Sequence, residues 1–212
     1  KFGSSVLTGI ESIQRLVGIL KGCSEDLVVT SAFFGVTDEL HRVAALAASR
    51  GYYTKLLKGI LDRHILVAEN FLEGDDFEAA AAQLNSRLVH LKDLLGGVAI
   101  LQDLSRRSLD QIVSCGELLA APLLAKVLKA KGIDAHYVDA RTMVVTDDAF
   151  GMARCDEQAT HVRARAVLAT TKGMVVTEGF IGSTPSGITT TLGRGGSDLS
   201  AIILGASLGV DE

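Results

Sequence analysis

A few short stretches of this chain carry residues whose types and spacing suit the handling of small charged groups. The densest is Gly193-Arg194-Gly195-Gly196-Ser197-Asp198. Glycines let backbone N–H groups approach a ligand closely, and Ser197-Asp198 opens an apolar stretch whose helical N-terminus would add partial positive charge. Arg194 is the one full cation of the loop, and its planar fork can take two carboxylate oxygens side by side. The stretch reads as an anion cradle for one small acid. It reads equally as a tight loop with a solvated arginine and a helix cap.

Three other segments offer complementary groups. Lys1 precedes the small turn Gly3-Ser4-Ser5, where an ammonium would meet phosphate as a point charge; a frayed terminal lysine is the plainer alternative. The spacing is not that of a P-loop, because GxxxxGK[ST] is absent. Ser31 and Thr37 place hydroxyls after the apolar run Leu27 to Ala32, at the strand end where open α/β sheets bind ligands. Thr37 also reads as an N-cap ahead of Asp38 and Glu39. Glu117, in Ser114-Cys115-Gly116-Glu117, offers a carboxylate to a substrate ammonium or closes a capping box with Ser114.

Positioning these groups requires alternating strands and helices. Leu27–Ala32, Ile133–Asp139, Thr142–Thr146 and Val175–Ile181 read as strands. Pro185-Ser186-Gly187 is turn chemistry, so Ile188–Leu192 is expected to pair back on Val175–Ile181 as a hairpin aimed at the glycine loop. Helices are expected over Glu11–Leu20, Leu40–Ala48, Ser114–Leu128 ending at Gly132, Gln158–Thr171 capped by Asp156, and Ser197 to about Gly209. Pro122 should kink its helix or mark the true start. From Tyr52 to Val113, Leu56, Leu57, Ile60, Leu61, Ile65 and then Leu84, Leu88, Leu91 and Leu95 keep helical spacing without strand signals. This reads as a helical insertion of two or three helices, about 52–113. The order predicts an α/β fold, a three-layer αβα sandwich with a mostly parallel sheet.

Composition narrows the class. With 212 residues, 48% of them hydrophobic, the chain can bury one sizeable core. A net charge of −4 and no basic stripe argue against nucleic acid. Cys23, Cys115 and Cys155 are odd in number and widely spaced, so they predict buried, reduced thiols and no disulfide framework. His64 and His90 are expected to be packed or surface residues, and no metal site is expected. The longest apolar-to-small run, Leu199 to Val210, is too short to span a bilayer, so a soluble chain without membrane contact is expected, and the reduced thiols point to a cytoplasmic location. Lys1 already sits in a strand end and Val210-Asp211-Glu212 would enter another strand, which reads as a fragment cut at both ends.

Taken together the segments resemble the aspartate kinases of the amino acid kinase superfamily, nearest the lysine-sensitive type with a single activity. KFGSSV is similar to the family's KFGGTSV, TSAFFGVTD to SAxxGxTN/D, SCGE to SxGE, and GFIGSTPSGITTTLGRGGSDLSA to GFIG...TTTLGRGGSDYSA; DARTMVVTDDAFGMA is similar to the corresponding stretch. The resemblance covers the whole chain. It implies ATP-dependent phosphorylation of the side-chain carboxylate of L-aspartate, the first step toward lysine, threonine and methionine. It implies that Lys1, Gly3, Ser4 and Ser5 contact the transferred phosphoryl region, that Ser31, Thr37, Glu117 and Arg194 hold aspartate, that Gly195, Gly196 and Ser197 complete the cradle, and that Asp198 orients Lys1. Ser4 departs from the family's second glycine. ATP with Mg²⁺ is the implied cofactor, a homo-oligomer the implied full-length assembly, and an ATP-binding part and regulatory domains would lie beyond residue 212, leaving this piece alone inactive. Kinases of glutamate or acetylglutamate on the same fold, and a non-catalytic oligomerisation module, are the alternatives.

Overall fold

The computed structural model describes residues 1–23 and 27–209. The strand entry expected at Val210–Glu212 lies outside them. Three parallel strands, β1 (Leu27–Thr30), β2 (Ala135–Tyr137) and β3 (Met174–Glu178), form a sheet in the order β1-β3-β2. Val28 stands opposite Val176, and His136 opposite Val175. Phe2 extends the sheet beyond β1 through a parallel bridge to Thr30. Every residue of β3 is buried, as a central parallel strand covered on both faces must be.

The two faces of the sheet belong to different layers. Val28 and Val176 pack into the main apolar core, together with helices α1 (Ile10–Leu20), α2 (Val36–Ala48), α3 (Thr54–Phe71), α4 (Gly74–Leu101), α5 (Arg106–Val113) and α6 (Cys115–Ala130). Val29 faces the other way, toward Ala164 of α7 (Glu157–Leu168) and Leu204 of α8 (Gly196–Leu208). The arrangement is the three-layer αβα sandwich. Residues 54–113 are three helices, and their apolar stripe, including Leu57, Ile60, Leu91 and Leu95, is continuous with the core over the sheet.

Helix α6 is the central packing element. Cys115 to Leu128 are buried except for Lys126, and a helix apolar all round belongs inside. Arg106–Ala130 is the one helical stretch, among the described residues, long and apolar enough to cross a membrane, and 89% of its most apolar window lies within the fold. Pro122 sits inside α6, not at its start.

Three expectations about strands need correction. Val175–Ile181 is not one strand: it breaks at Phe180, whose φ of 68° lies in the left-handed region. The chain there leaves the parallel sheet and enters β4 (Ile181–Ser183), and this short strand, not β3, pairs antiparallel with β5 (Thr189–Thr191). Thr142–Thr146 forms a 3-10 turn at Ala140–Thr142 followed only by isolated bridges at Val145 and Thr146. Asp139 has taken the Arg141 N–H and guanidinium in that turn, which curls the chain before it can extend. Asp156 does cap α7, accepting from the Ala159 N–H, and Gly132 (φ 83°) follows α6.

Candidate active site

The carboxyl ends of β1 and β3 lie side by side, so Ser31 and Gly179 meet there. Helix α8 starts against them. Gly193 (φ 74°) and Gly195 (φ 75°) adopt left-handed conformations in the loop before it, where side chains with a Cβ are disfavoured. A Cβ on Gly179 would stand 2.7 Å from Ser197 Cβ, and one on Gly196 would stand 2.9 Å from Phe180 Cδ2. Two glycines therefore let the α8 N-terminus dock directly on the strand end. Ser31 Oγ donates to Ser197 Oγ at 2.9 Å across this junction.

Lys1 reaches the same place from the strand beside β1. Its Nζ pairs with Asp198 Oδ1 at 2.6 Å. Gly3 leaves room for it, since a Cβ there would lie 3.1 Å from Lys1 Nζ. Ser4–Val6 then turns away as a 3-10 helix. Thr37 enters from α2, although it is not the cap: Gly35 holds that position with φ 77°, and Thr37 lies in the first turn. The glycine's left-handed backbone makes the sharp entry that a threonine cap could not.

Glu117 closes the site from α6, and the capping box expected for it is absent. Ser114 has αR backbone and makes no side-chain cap; its Oγ donates to the Gln111 carbonyl because α5 runs almost directly into α6. The Glu117 carboxyl instead accepts the Ala32 N–H at 3.2 Å through Oε1. Its Oε2 is buried without a partner. Only 3% of the residue is accessible, and burial pushes the carboxyl up to about 8. Gly116 permits this approach, because a Cβ there would press on Ala32 and Val36.

All the residues singled out from the sequence line one cleft of about 480 Å³: Lys1, Gly3, Ser4, Ser5, Ser31, Thr37, Glu117, Arg194, Gly195, Gly196, Ser197 and Asp198. Gly193, of the glycine loop, lines it as well, as do Asp38 and Phe180; in the sequence Asp38 reads only as an acid in a helix's first turn and Phe180 only as a strand residue. Arg194 is exposed and, among the described residues, has no ion-pair partner. The cleft thus sets a paired cation, a free cation and a buried, half-satisfied carboxyl around one space. A neighbouring cavity of about 530 Å³ shares Thr37, Asp38, Phe180, Gly193 and Arg194 and adds His41, Arg106 and Asp110.

The profile of the amino acid kinase family matches residues 1–212. The chain belongs to the amino acid kinase family. Within that family it is 34% identical, over 97% of its length, to the chloroplastic bifunctional aspartokinase/homoserine dehydrogenase 1 of Arabidopsis thaliana, of which it spans 23%. It is 34% identical, over 98% of its length, to lysine-sensitive aspartokinase 3 of Escherichia coli, of which it spans 46%. The crystal structure of E. coli aspartokinase III in complex with aspartate and ADP superimposes over 100% of this chain and 46% of that one, with a TM-score of 0.89 at 29% identity. The chain therefore spans half or less of the length of these relatives.

His64 and Glu178 of this amino acid kinase chain support the scaffold. His64 is packed, as expected: it stacks on Phe33 with ring centroids 4.5 Å apart, and burial lowers it to about 4. Glu178, at the end of β3, accepts Tyr137 Oη–H at 2.6 Å and the Ala140 N–H at 2.9 Å. Cys115 is buried, but Cys23 is exposed and Cys155 half-buried, so the expectation of three buried thiols fails at those two. Cys23 follows α1 in the turn after Leu20, outside the apolar stripe.

Proposed function

We propose that the protein containing this chain is an aspartate kinase, transferring the γ-phosphoryl group of ATP to the side-chain carboxylate of L-aspartate. The observation that carries the reading is the single cleft in which Lys1, held by Asp198, faces a free Arg194 and the unpartnered oxygen of Glu117. Arg194 would take the α-carboxylate in its fork, and Glu117, with the Thr37 and Ser31 hydroxyls nearby, would receive the ammonium. Neutral Glu117 would give up its proton as the ammonium arrives, so one proton leaves on binding. The reacting carboxylate has an ordinary pKa of about 3.9 and needs no general base. Catalysis then rests on placement and charge neutralisation: the Lys1 ammonium and the N–H groups of the Gly3–Ser5 turn and the α8 N-terminus meet the phosphoryl oxygens. The relative crystallised with aspartate and ADP supports both substrates.

Mg²⁺ bound with the nucleotide would supply further charge neutralisation. Asp198 is engaged by Lys1, and the ion would travel with ATP. Partners are proposed to be small molecules and, in the full-length protein, further copies of itself, with neither nucleic acid nor membrane. A cytoplasmic location completes the proposal, supported by free cysteines.

Calorimetric titration of the chain with L-aspartate, with L-glutamate as control and Mg-ATP afterwards, tests the substrate half. Aspartate is expected to bind with release of about one proton below pH 8, and glutamate at least about tenfold more weakly, the usual worth of one misplaced methylene. Equal binding of both acids would remove the aspartate assignment.

A further inference from the structure

The proposed role leaves two buried carboxylates unused, Glu178 and Asp110, and of these Asp110 lines a cavity together with Gly193 and Arg194. Asp110, on α5, is 1% accessible. Its Oδ2 accepts the Gly151 N–H and the Thr191 N–H, each at 2.9 Å, and its Oδ1 accepts Thr191 Oγ1–H at 2.8 Å. Thr191 ends β5, two residues before Gly193, and its carbonyl accepts the Ala153 N–H at 2.9 Å. Gly151 in turn packs on the glycine loop, its carbonyl oxygen 3.3 Å from where a Cβ of Gly193 would be. One carboxylate thus gathers both segments on which the Arg194 loop rests.

Asp110 and Glu117 also share a support. Ser114, between α5 and α6, keeps αR backbone, and the Ser114 and Leu118 N–H groups continue the helical bonding to Asp110 and Ser114. The two acids are seven residues apart, about two helical turns and roughly 10 Å along one face.

The geometry points to Asp110 as a positioning residue that fixes the stem of the Arg194 loop to the helix carrying Glu117, and so sets the span between the groups that take the two ends of the amino acid. This rests on the aspartate kinase reading. Asp110 touches no substrate; it acts through Thr191 and Gly151 on Arg194. The requirement is for acceptors, not for charge. In Asp110→Asn the amide oxygen can take both backbone N–H groups while its NH₂ donates to Thr191 Oγ1, whose hydroxyl turns to accept. In Asp110→Ala three donors lose their partner.

The test is steady-state kinetics of the full-length gene product and its variants, with aspartate and Mg-ATP varied separately. Asp110→Ala is expected to raise the aspartate KM about tenfold or more, with kcat and the Mg-ATP KM within about threefold, because binding at one end of one substrate is what loosens. Asp110→Asn should stay within about threefold of the parent in all three. Thr191→Val, which removes one bond and is the milder change should Asp110→Ala fail to fold, is expected to raise the aspartate KM about two- to tenfold. A parent enzyme that turns over aspartate, with variants that lose thermal stability while their aspartate KM stays put, would reduce Asp110 to a structural role. A parent that does not turn over aspartate would overturn the kinase reading and this inference together.

Discussion

Replacing Glu117 by glutamine separates a residue kept for binding from one kept for stability. In the fold its carboxyl has one oxygen on the Ala32 N–H and the other unpartnered, and burial raises it from an ordinary 4.5 to about 8. Between those values the folded chain holds a proton that the unfolded chain has released. Stability therefore falls as pH rises through that window, because the slope follows protons bound in the unfolded state minus those in the folded state. At pH 7 the cost of keeping the carboxyl protonated is about 3 kcal/mol. Glutamine keeps the bond to Ala32 and titrates nowhere. Glu117→Gln is thus expected to match the parent near pH 4 and to be more stable by up to about 3 kcal/mol at pH 7, roughly 6 to 12 °C in Tm for a chain of this size. Glu178, also pushed up by burial, to about 7, contributes a slope of the same sign to both proteins and cancels in the difference. Thermal unfolding from pH 4 to 8, with and without aspartate, measures both halves: the parent should gain Tm from aspartate at pH 8 and the variant should not. Equal pH profiles for the two proteins, or undiminished aspartate stabilisation in the variant, would refute the reasoning.

Further outcomes follow from the same geometry. Arg194→Ala in the full-length enzyme should lower kcat/KM for aspartate at least about tenfold, the worth of a charge-assisted pair at roughly 1.5 to 3 kcal/mol, and unchanged kinetics would remove Arg194 from the site. Gly179→Ala would press a methyl onto Ser197, whose Cβ and Cα lie 2.7 and 2.8 Å from it; backbone is in the way, so denaturant unfolding should show a loss of about 1 to 3 kcal/mol. Aspartate affinity of the parent chain should rise up to about tenfold per pH unit until pH 8 and then level, since Glu117 must shed its proton to receive an ammonium.

Much of the cleft was legible because its residues sit at the ends of recognisable elements. The glycines of the 193–196 loop read as room for close backbone approach, and Gly193 and Gly195 adopt left-handed conformations there; the apolar runs Leu27–Ala32 and Val175–Ile181 read as strands, and the parallel pairing of β1 with β3 brings Ser31 to Ser197 across 166 residues. What was not legible depends on tertiary partners. Ser114 and Glu117 satisfy the local pattern of a capping box, but the acceptor is used by Ala32, far away in sequence. Phe180 has no sequence mark of a left-handed residue, yet its φ turns β3 into β4. Asp110 lies within the predicted helical insertion with no local mark of a role, and its three donors lie 41 and 81 residues downstream. Local spacing thus marks the glycine loop that lines the cleft, and only the packed fold exposes the groups that hold it there.

The central claim is chemical and can be read from the product. The full-length gene product, incubated with Mg-ATP, L-aspartate and hydroxylamine, should form ADP and aspartyl hydroxamate in equal amounts, because hydroxylamine captures an acyl phosphate at the phosphorylated carboxyl. Hydroxamate formed from glutamate and not aspartate, or ATP consumed with no hydroxamate from either acid, would contradict the account.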